Sequence, residues 1–182
     1  VAIAAGTGTT DVLNLTADTA GATFLAGTTG IETINILANT ATASNGTGAI
    51  VMNNANVANA KTLTVNASAL TNAAASLSID ASAETDGRYV ITGGAGNDSI
   101  KGGNVGDSLS GGAGNDTITA GTGVDSINGG DGNDTFNLGA NLTGTDTIDG
   151  GSGTDKLVVT TITTSGAFAN VKNVESIAIS DA

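Results

Sequence analysis

The chain has 182 residues, a formal net charge of −12 with five basic residues, and no proline, cysteine, histidine or tryptophan. That balance excludes a nucleic-acid partner, which requires a basic footprint, and gives no attraction to anionic lipid. Without cysteine or histidine there are no disulfides or Cys-based metal sites and no Ser–His–Asp or Cys–His catalytic machinery.

Residues 1–92 carry little charge and a series of short apolar stretches: Val12, Leu13 and Leu15; Ile34 and Ile36; Ile50 to Met52; Leu63 and Val65; Leu77 and Ile79; Val90 and Ile91. Alternation within most of them predicts strands with one buried face. The Gly, Asn, Thr and Ser clusters between them predict turns. The Ala73–Ala75 patch lacks the flanking periodicity and caps of a helix and is expected to be a loop or strand edge. No apolar run reaches transmembrane length, so no membrane insertion is expected. No signal peptide is visible and Val1 opens in strand-like sequence, so the chain is expected to be part of something longer.

Residues 93–137 change character. They read GGAGNDSIK, GGNVGDSLS, GGAGNDTIT, AGTGVDSIN and GGDGNDTFN, nine residues each and in unbroken phase. Asp98, Asp107, Asp116, Asp125 and Asp134 hold the sixth place, and Ile100, Leu109, Ile118, Ile127 and Phe136 the eighth. After a three-residue insert, Leu138 to Ala140, the phase resumes in NLTGTDTID and GGSGTDKLV with Asp146, Asp155, Ile148 and Leu157. Two units make one flattened coil, because a single unit can bury nothing alone. Asp98, Asp116, Asp134 and Asp155 then stack on one side, and Asp107, Asp125 and Asp146 on the other.

The chemistry of these places points to calcium. Glycine lets six residues fold into a tight loop, whose successive carbonyls can point to the loops before and after. Calcium takes six to eight oxygens at flexible geometry, typically carboxylates and carbonyls. The candidate ligands are therefore the seven aspartates with the turn carbonyls of Gly93, Gly94, Ala95 and Gly96; Gly102, Gly103 and Asn104; and Gly111, Gly112, Ala113 and Gly114. Gly121 and Gly123; Gly129, Gly130, Asp131 and Gly132; and Gly150, Gly151 and Gly153 complete the set. Stacked carboxylates without a cation repel one another, so calcium is expected to drive folding by binding the native state alone. A flexible linker would not place an apolar residue at every ninth position, and no window has the acid, Gly and Glu spacing of an EF-hand.

Residues 159–182 echo the beginning. TDVLNLT (10–16), Phe24 and GIETINI (30–36) match TDKLVVT (154–160), Phe168 and NVESIAI (173–179). Asp11 and Asp155, like Phe24 and Phe168, lie 144 residues apart, and Glu32 and Glu175 lie 143 apart. NAKTLTV (59–65) is a partial third copy. Glu32 and Glu175 are read as solvated or turn-stabilising rather than metal ligands, with a calcium role left open for Asp11 through its alignment with Asp155. The chain is thus expected to be one continuous solenoid in three sections: calcium-poor rungs over 1–92, a calcium-binding roll over 93–158, and a closing rung over 159–182.

The nonapeptides resemble the RTX calcium-binding parallel β-roll. GIETINI and NVESIAI around them resemble bacterial surface-layer proteins of the RTX type. This resemblance implies an all-β, right-handed parallel β-solenoid that binds several Ca2+ ions. It further implies type I export in an unfolded state, extracellular calcium-driven folding, self-association into a lattice, and attachment to cell-surface polysaccharide through regions outside this chain. Val105, Ala120 and the pair Asn141–Leu142 depart from the repeat's glycines, and the sites beside Val105 and Asn141 are expected to be weaker. An adhesin segment, a carbohydrate-binding β-roll and the export module of a secreted hydrolase are the alternatives. The acids recur with the repeat, so a ligand role accounts for all of them, and no enzymatic activity is expected.

Overall fold

The computed structural model describes residues 11–16, 30–37, 48–51, 57, 61–162 and 165–180. Phe24 and Met52 lie outside these, as do residues 59–60 of the partial third copy. The described residues form strands and turns with no α-helix, hence no helix long and apolar enough to cross a membrane. The strands are β1 (Val12–Thr16), β2 (Thr33–Leu37), β3 (Gly48–Val51), β4 (Thr62–Asn66), β5 (Leu77–Asp80), β6 (Arg88–Thr92), β7 (Ser99–Lys101) and β8 (Ser108–Ala113). They continue as β9 (Thr117–Thr119), β10 (Ser126–Asp131), β11 (Thr135–Gly139), β12 (Thr147–Ser152), β13 (Lys156–Val159), β14 (Val171–Lys172) and β15 (Ser176–Ile179).

From β2 onward the chain passes alternately between two sheets. One has the order β1-β2-β4-β6-β8-β10-β12-β14, and the other β15-β13-β11-β9-β7-β5-β3. Every pair is parallel. This is the parallel β-solenoid that the nonapeptide phase predicts. Ser108 pairs with Ser126 and Ser99 with Thr117, so two nine-residue units close one coil. Across the 138–140 insert, Ser126 pairs with Thr147 and Thr135 with Lys156, which carries both sides forward together.

The core is two facing rows of large apolar side chains, one per strand. In one sheet, register aligns Ile79, Ile100, Ile118, Phe136 and Leu157; in the other, Val65, Ile91, Leu109, Ile127 and Ile148. All are buried, and each is worth about 1.5–3 kcal/mol of burial. The insert contributes as well, since Leu138 and Leu142 are both buried. Phe168, the described member of the Phe pair, packs partly buried against this core. On the last rung, Ile177 and Ile179 continue the inward row in register with Leu157 and Val159, yet both are exposed.

The phase also runs upstream of residue 93. β5 pairs with β7, Ile79 opposite Ile100, and β6 pairs with β8, Ile91 opposite Leu109. Leu77 and Tyr89 therefore stand where later units have aspartate. Residues 81–83 are a second insert of the same size as 138–140.

Candidate metal centres

Each repeat aspartate ends a turn and begins a strand, and each is at most 3% exposed. Its Oδ1 accepts the main-chain N–H of the equivalent residue one coil earlier. Asp98 N–H donates to Asp116, Asp116 N–H to Asp134 and Asp134 N–H to Asp155, at 2.7–2.8 Å. On the opposite side Asp107 N–H donates to Asp125 and Asp125 N–H to Asp146, at 2.8 and 2.9 Å. The columns begin on Leu77 and Tyr89, whose N–H groups donate to Asp98 and Asp107. The carbonyls of most of these aspartates reach the other way: Thr117 N–H donates to Asp98 O, and Thr135 N–H to Asp116 O, both at 2.8 Å. Each repeat aspartate thus serves the coil before it with its carboxylate, and most, from Asp98 to Asp155, serve the coil after it with their carbonyl.

The second carboxylate oxygen divides the turns into two kinds. Asp98 Oδ2 accepts Gly94 N–H, Asp107 Oδ2 accepts Gly103 N–H, and Asp146 Oδ2 accepts both the N–H and the hydroxyl of Thr143. Asp116 Oδ2, Asp134 Oδ2 and Asp155 Oδ2 are buried and have no hydrogen-bond partner. The turns containing these three have left-handed glycines at their second place, with φ of 112° at Gly112, 113° at Gly130 and 96° at Gly151. Gly94 and Gly103 are not left-handed, and their N–H groups close on the aspartate. Turn 120–125 has the left-handed kind as well, at Gly121 and Gly123.

The unpartnered oxygens face other oxygens. A Cβ placed on Gly129 would collide with Asp134 Oδ2 and lie 2.5 Å from the Gly150 carbonyl oxygen. A Cβ on Gly150 would collide with the Asn173 carbonyl oxygen and lie 2.6 Å from Asp155 Oδ2. The cradle beside each first-place glycine therefore gathers a carboxylate from one turn and a carbonyl from the next. Buried acceptors without donors are costly, and this one-sided set of hard oxygens fits Ca2+. Among the described residues no three acidic side chains gather at one point. A cation between turns would take one carboxylate per turn and the rest of its oxygens from the main chain.

Electrostatics agree with that assignment. Burial lifts Asp116 from the ordinary 3.8 to about 7; the Asp98 N–H offsets part of this, and the Asp98 and Asp134 charges add to it. Asp125 is raised to about 7 in the same way, with Asp107 and Asp146 as its charged neighbours. Burial also raises Asp98, Asp107 and Asp134.

Among the third-place residues, the Asp131 carbonyl accepts Gly114 N–H at 2.8 Å and Ala113 N–H donates to Gly94 O at 2.9 Å. Residues 111–113, 129–131 and 150–152 are extensions of β8, β10 and β12, so their first duty is in the sheet. The Asp131 side chain is exposed. Asn173 was not legible in advance as a contributor. It has φ 51°, a left-handed conformation that asparagine tolerates better than most residues, and its carbonyl faces Gly150 as a glycine's does elsewhere.

Glu32 and Glu175 prove to be turn-stabilising. Asp11 N–H donates to Glu32 Oε2 at 2.6 Å and Asp155 N–H to Glu175 Oε2 at 2.7 Å. Thr33 and Ser176 return bonds to the Asp11 and Asp155 carbonyls. The described residues of the two copies thus share one hydrogen-bond pattern. Asp11 Oδ2 is buried without a partner, like its counterpart in Asp155.

Residues 90–104, 102–136 and 142–158 match the family model for the RTX calcium-binding nonapeptide repeat, in four copies. No curated protein and no solved structure matches the chain.

Proposed function

From residues 90–136 and 142–158 being RTX calcium-binding nonapeptide repeats, we propose that this chain is a structural component of an extracellular bacterial surface layer, folded and assembled by calcium after export. The observation that carries the reading is the column of unpartnered buried oxygens on Asp116, Asp134 and Asp155. Calcium neutralises them and joins successive coils. At cytosolic calcium the chain stays unfolded, which suits threading through a one-step exporter. Outside, millimolar calcium exceeds the dissociation constants of about 10⁻⁴–10⁻³ M of extracellular sites. Neighbouring sites share turns, so loading is cooperative.

The surface-layer assignment draws support from the paired GIETINI and NVESIAI motifs, which frame the roll at both ends with one hydrogen-bond pattern. A sugar-binding module would present a ladder of exposed aromatics, whereas Tyr89 and Phe136 are fully buried. Catalysis finds no support, since each acid in the columns is committed to the coil beside it.

Circular dichroism with calcium and then with EGTA tests the folding step; a reversible gain of β signal is expected, and a chain equally folded in excess EGTA refutes it. Electron microscopy of the purified protein with calcium tests assembly. A sheet-like array supports the surface-layer reading, and monodisperse particles at every calcium concentration argue for a binding module.

A further inference from the structure

The turn before Asp107 contains a buried acid that the nonapeptide pattern does not provide. Glu84 is 0% exposed. Its Oε1 accepts the N–H groups of Thr85, Asp86 and Gly87 at 3.0–3.2 Å, while its Oε2 is buried with no partner. The Tyr89 hydroxyl is likewise buried, with no hydrogen bond of good geometry. Burial, then the nearby charges of Glu84 and Asp107, then hydrogen bonding with the Glu84 side chain, push the Tyr89 phenol above its ordinary range, so its hydroxyl lies beside the Glu84 carboxylate.

Asp107 approaches the same turn from the next coil. It accepts Tyr89 N–H through Oδ1 and Gly103 N–H through Oδ2, and Asn104 N–H donates to the Glu84 carbonyl at 3.0 Å. The like charge of Glu84 is felt at Asp107, and the opposing charge felt there, Arg88, is on an exposed residue.

A second turn in the chain shows what this place requires structurally. Asn66-Ala67-Ser68-Ala69-Leu70 and Asp80-Ala81-Ser82-Ala83-Glu84 fold alike. Ser68 and Ser82 N–H groups bond to Asn66 and Asp80 side chains, and Leu70 and Glu84 N–H groups to the Ala67 and Ala81 carbonyls. Leu70 is buried over the Asp98 turn as Glu84 is over the Asp107 turn. Leucine therefore suffices as a plug. A buried glutamate with a free oxygen has another use.

We propose that Glu84 Oε2, the Tyr89 hydroxyl oxygen and the Asp107 carboxylate form a further divalent-cation site, at the upstream end of the column that runs through Asp125 and Asp146. The ligand class is a hard cation of the calcium type, which accepts carboxylate and neutral oxygens together. The site rests on the calcium reading above and adds a carboxylate from outside the nonapeptides.

Tyr89 is the sole tyrosine and the chain has no tryptophan, so it reports on this site directly. Terbium(III), which substitutes for calcium, emits strongly when an excited tyrosine lies beside it. Titration of the full chain with terbium should give tyrosine-sensitised emission. The Glu84→Leu variant, patterned on Leu70, should fold yet lose most of that emission and bind one calcium fewer by calorimetry. Glu84→Asp should restore part of it. Equal emission from wild type and Glu84→Leu, or none from wild type, overturns the site. Far-UV dichroism recorded alongside separates the two failures: the Glu84 site fails alone if β signal still rises with the cation, and fails with the calcium reading if it does not.

Discussion

The main-chain N–H of Asp155 donates to the Glu175 carboxylate at 2.7 Å, at the rung where the column changes from aspartate to glutamate. Leu77, Asp98, Asp116 and Asp134 each give that bond to an aspartate one coil on. Glutamate is one methylene longer. It meets the donor from a rung whose register lies 20 residues on rather than 18 or 21. Glu175 therefore closes the column without extending the cation cradle. Glu175→Ala should lower stability in calcium by about 1–2 kcal/mol, the usual scale of a charge-assisted bond in a part-exposed place. The number of calcium ions bound should not change. Denaturant midpoints with calorimetric stoichiometry check this, and a lost calcium ion would instead make Glu175 a ligand.

Asp116 and Asp149 separate the column from the surface. Asp116→Ala removes an acceptor for Asp98 N–H and a buried oxygen of the cradle. Asp149 pairs at 2.9 Å with the exposed Lys172 and accepts an Asn173 side-chain bond. Exposed pairs of that kind are worth about 0–1 kcal/mol. The calcium midpoint of the β signal should rise about tenfold or more in Asp116→Ala, equivalent to at least about 1.4 kcal/mol. In Asp149→Ala it should stay within about twofold of wild type. Equal midpoints would remove the ligand role from Asp116.

The acid columns give stability a pH dependence whose sign reverses with calcium. Burial raises Asp116 and Asp125 from 3.8 to about 7, so the cation-free fold binds more protons than the unfolded chain between those values. Stability from these groups is full below the unfolded value and is lost as pH rises through about 7. With calcium, protons and cation compete for the same oxygens, so affinity rises with pH. In EGTA, whatever fold survives should be more resistant to urea at pH 5.5 than at pH 8. In millimolar calcium the order should invert. Parallel trends in both buffers would contradict the placement of the cation at these carboxylates.

The places legible in the sequence are those where one physical need recurs at fixed spacing. Asp in the sixth place and an apolar residue in the eighth repeat without a gap from Asp98 to Phe136, and that phase alone implied coils, columns and core rows. The 144-residue spacing of Asp11 and Asp155 led to one local structure at both ends. The units carrying Leu77 and Tyr89 were hidden because they lack both signals of the motif, the aspartate and the glycine pair. Gly87, with Ile79 and Ile91 in the inward rows, was all that remained. The 81–83 insert also shifted the Leu77 unit out of phase with the units that follow. Glu84 was hidden for another reason: its burial depends on a turn whose twin uses Leu70, and one-dimensional sequence does not show a carboxylate turned inward. Asn173 was hidden because an asparagine stands where earlier units have the first-place glycine whose carbonyl faces the cradle.

Gly129 and Gly166 distinguish crowding at the cradle from backbone strain. Gly166 has φ 87° and nothing within 4 Å of an added Cβ, so Gly166→Ala meets only the dihedral penalty of about 1–2 kcal/mol. Gly129 is not left-handed, but its Cβ would enter the space between Asp134 Oδ2 and the Gly150 carbonyl. Gly166→Ala should lower the melting temperature in saturating calcium while the full number of ions still binds. Gly129→Ala should lose at least one ion and show a calcium midpoint raised several-fold. The reason is local: the methyl takes the space in which the two oxygens converge, and the carboxylate stays buried without its cation. A Gly129→Ala chain that binds the wild-type number of ions with unchanged midpoint would show that the cation lies elsewhere than between Asp134 and Gly150.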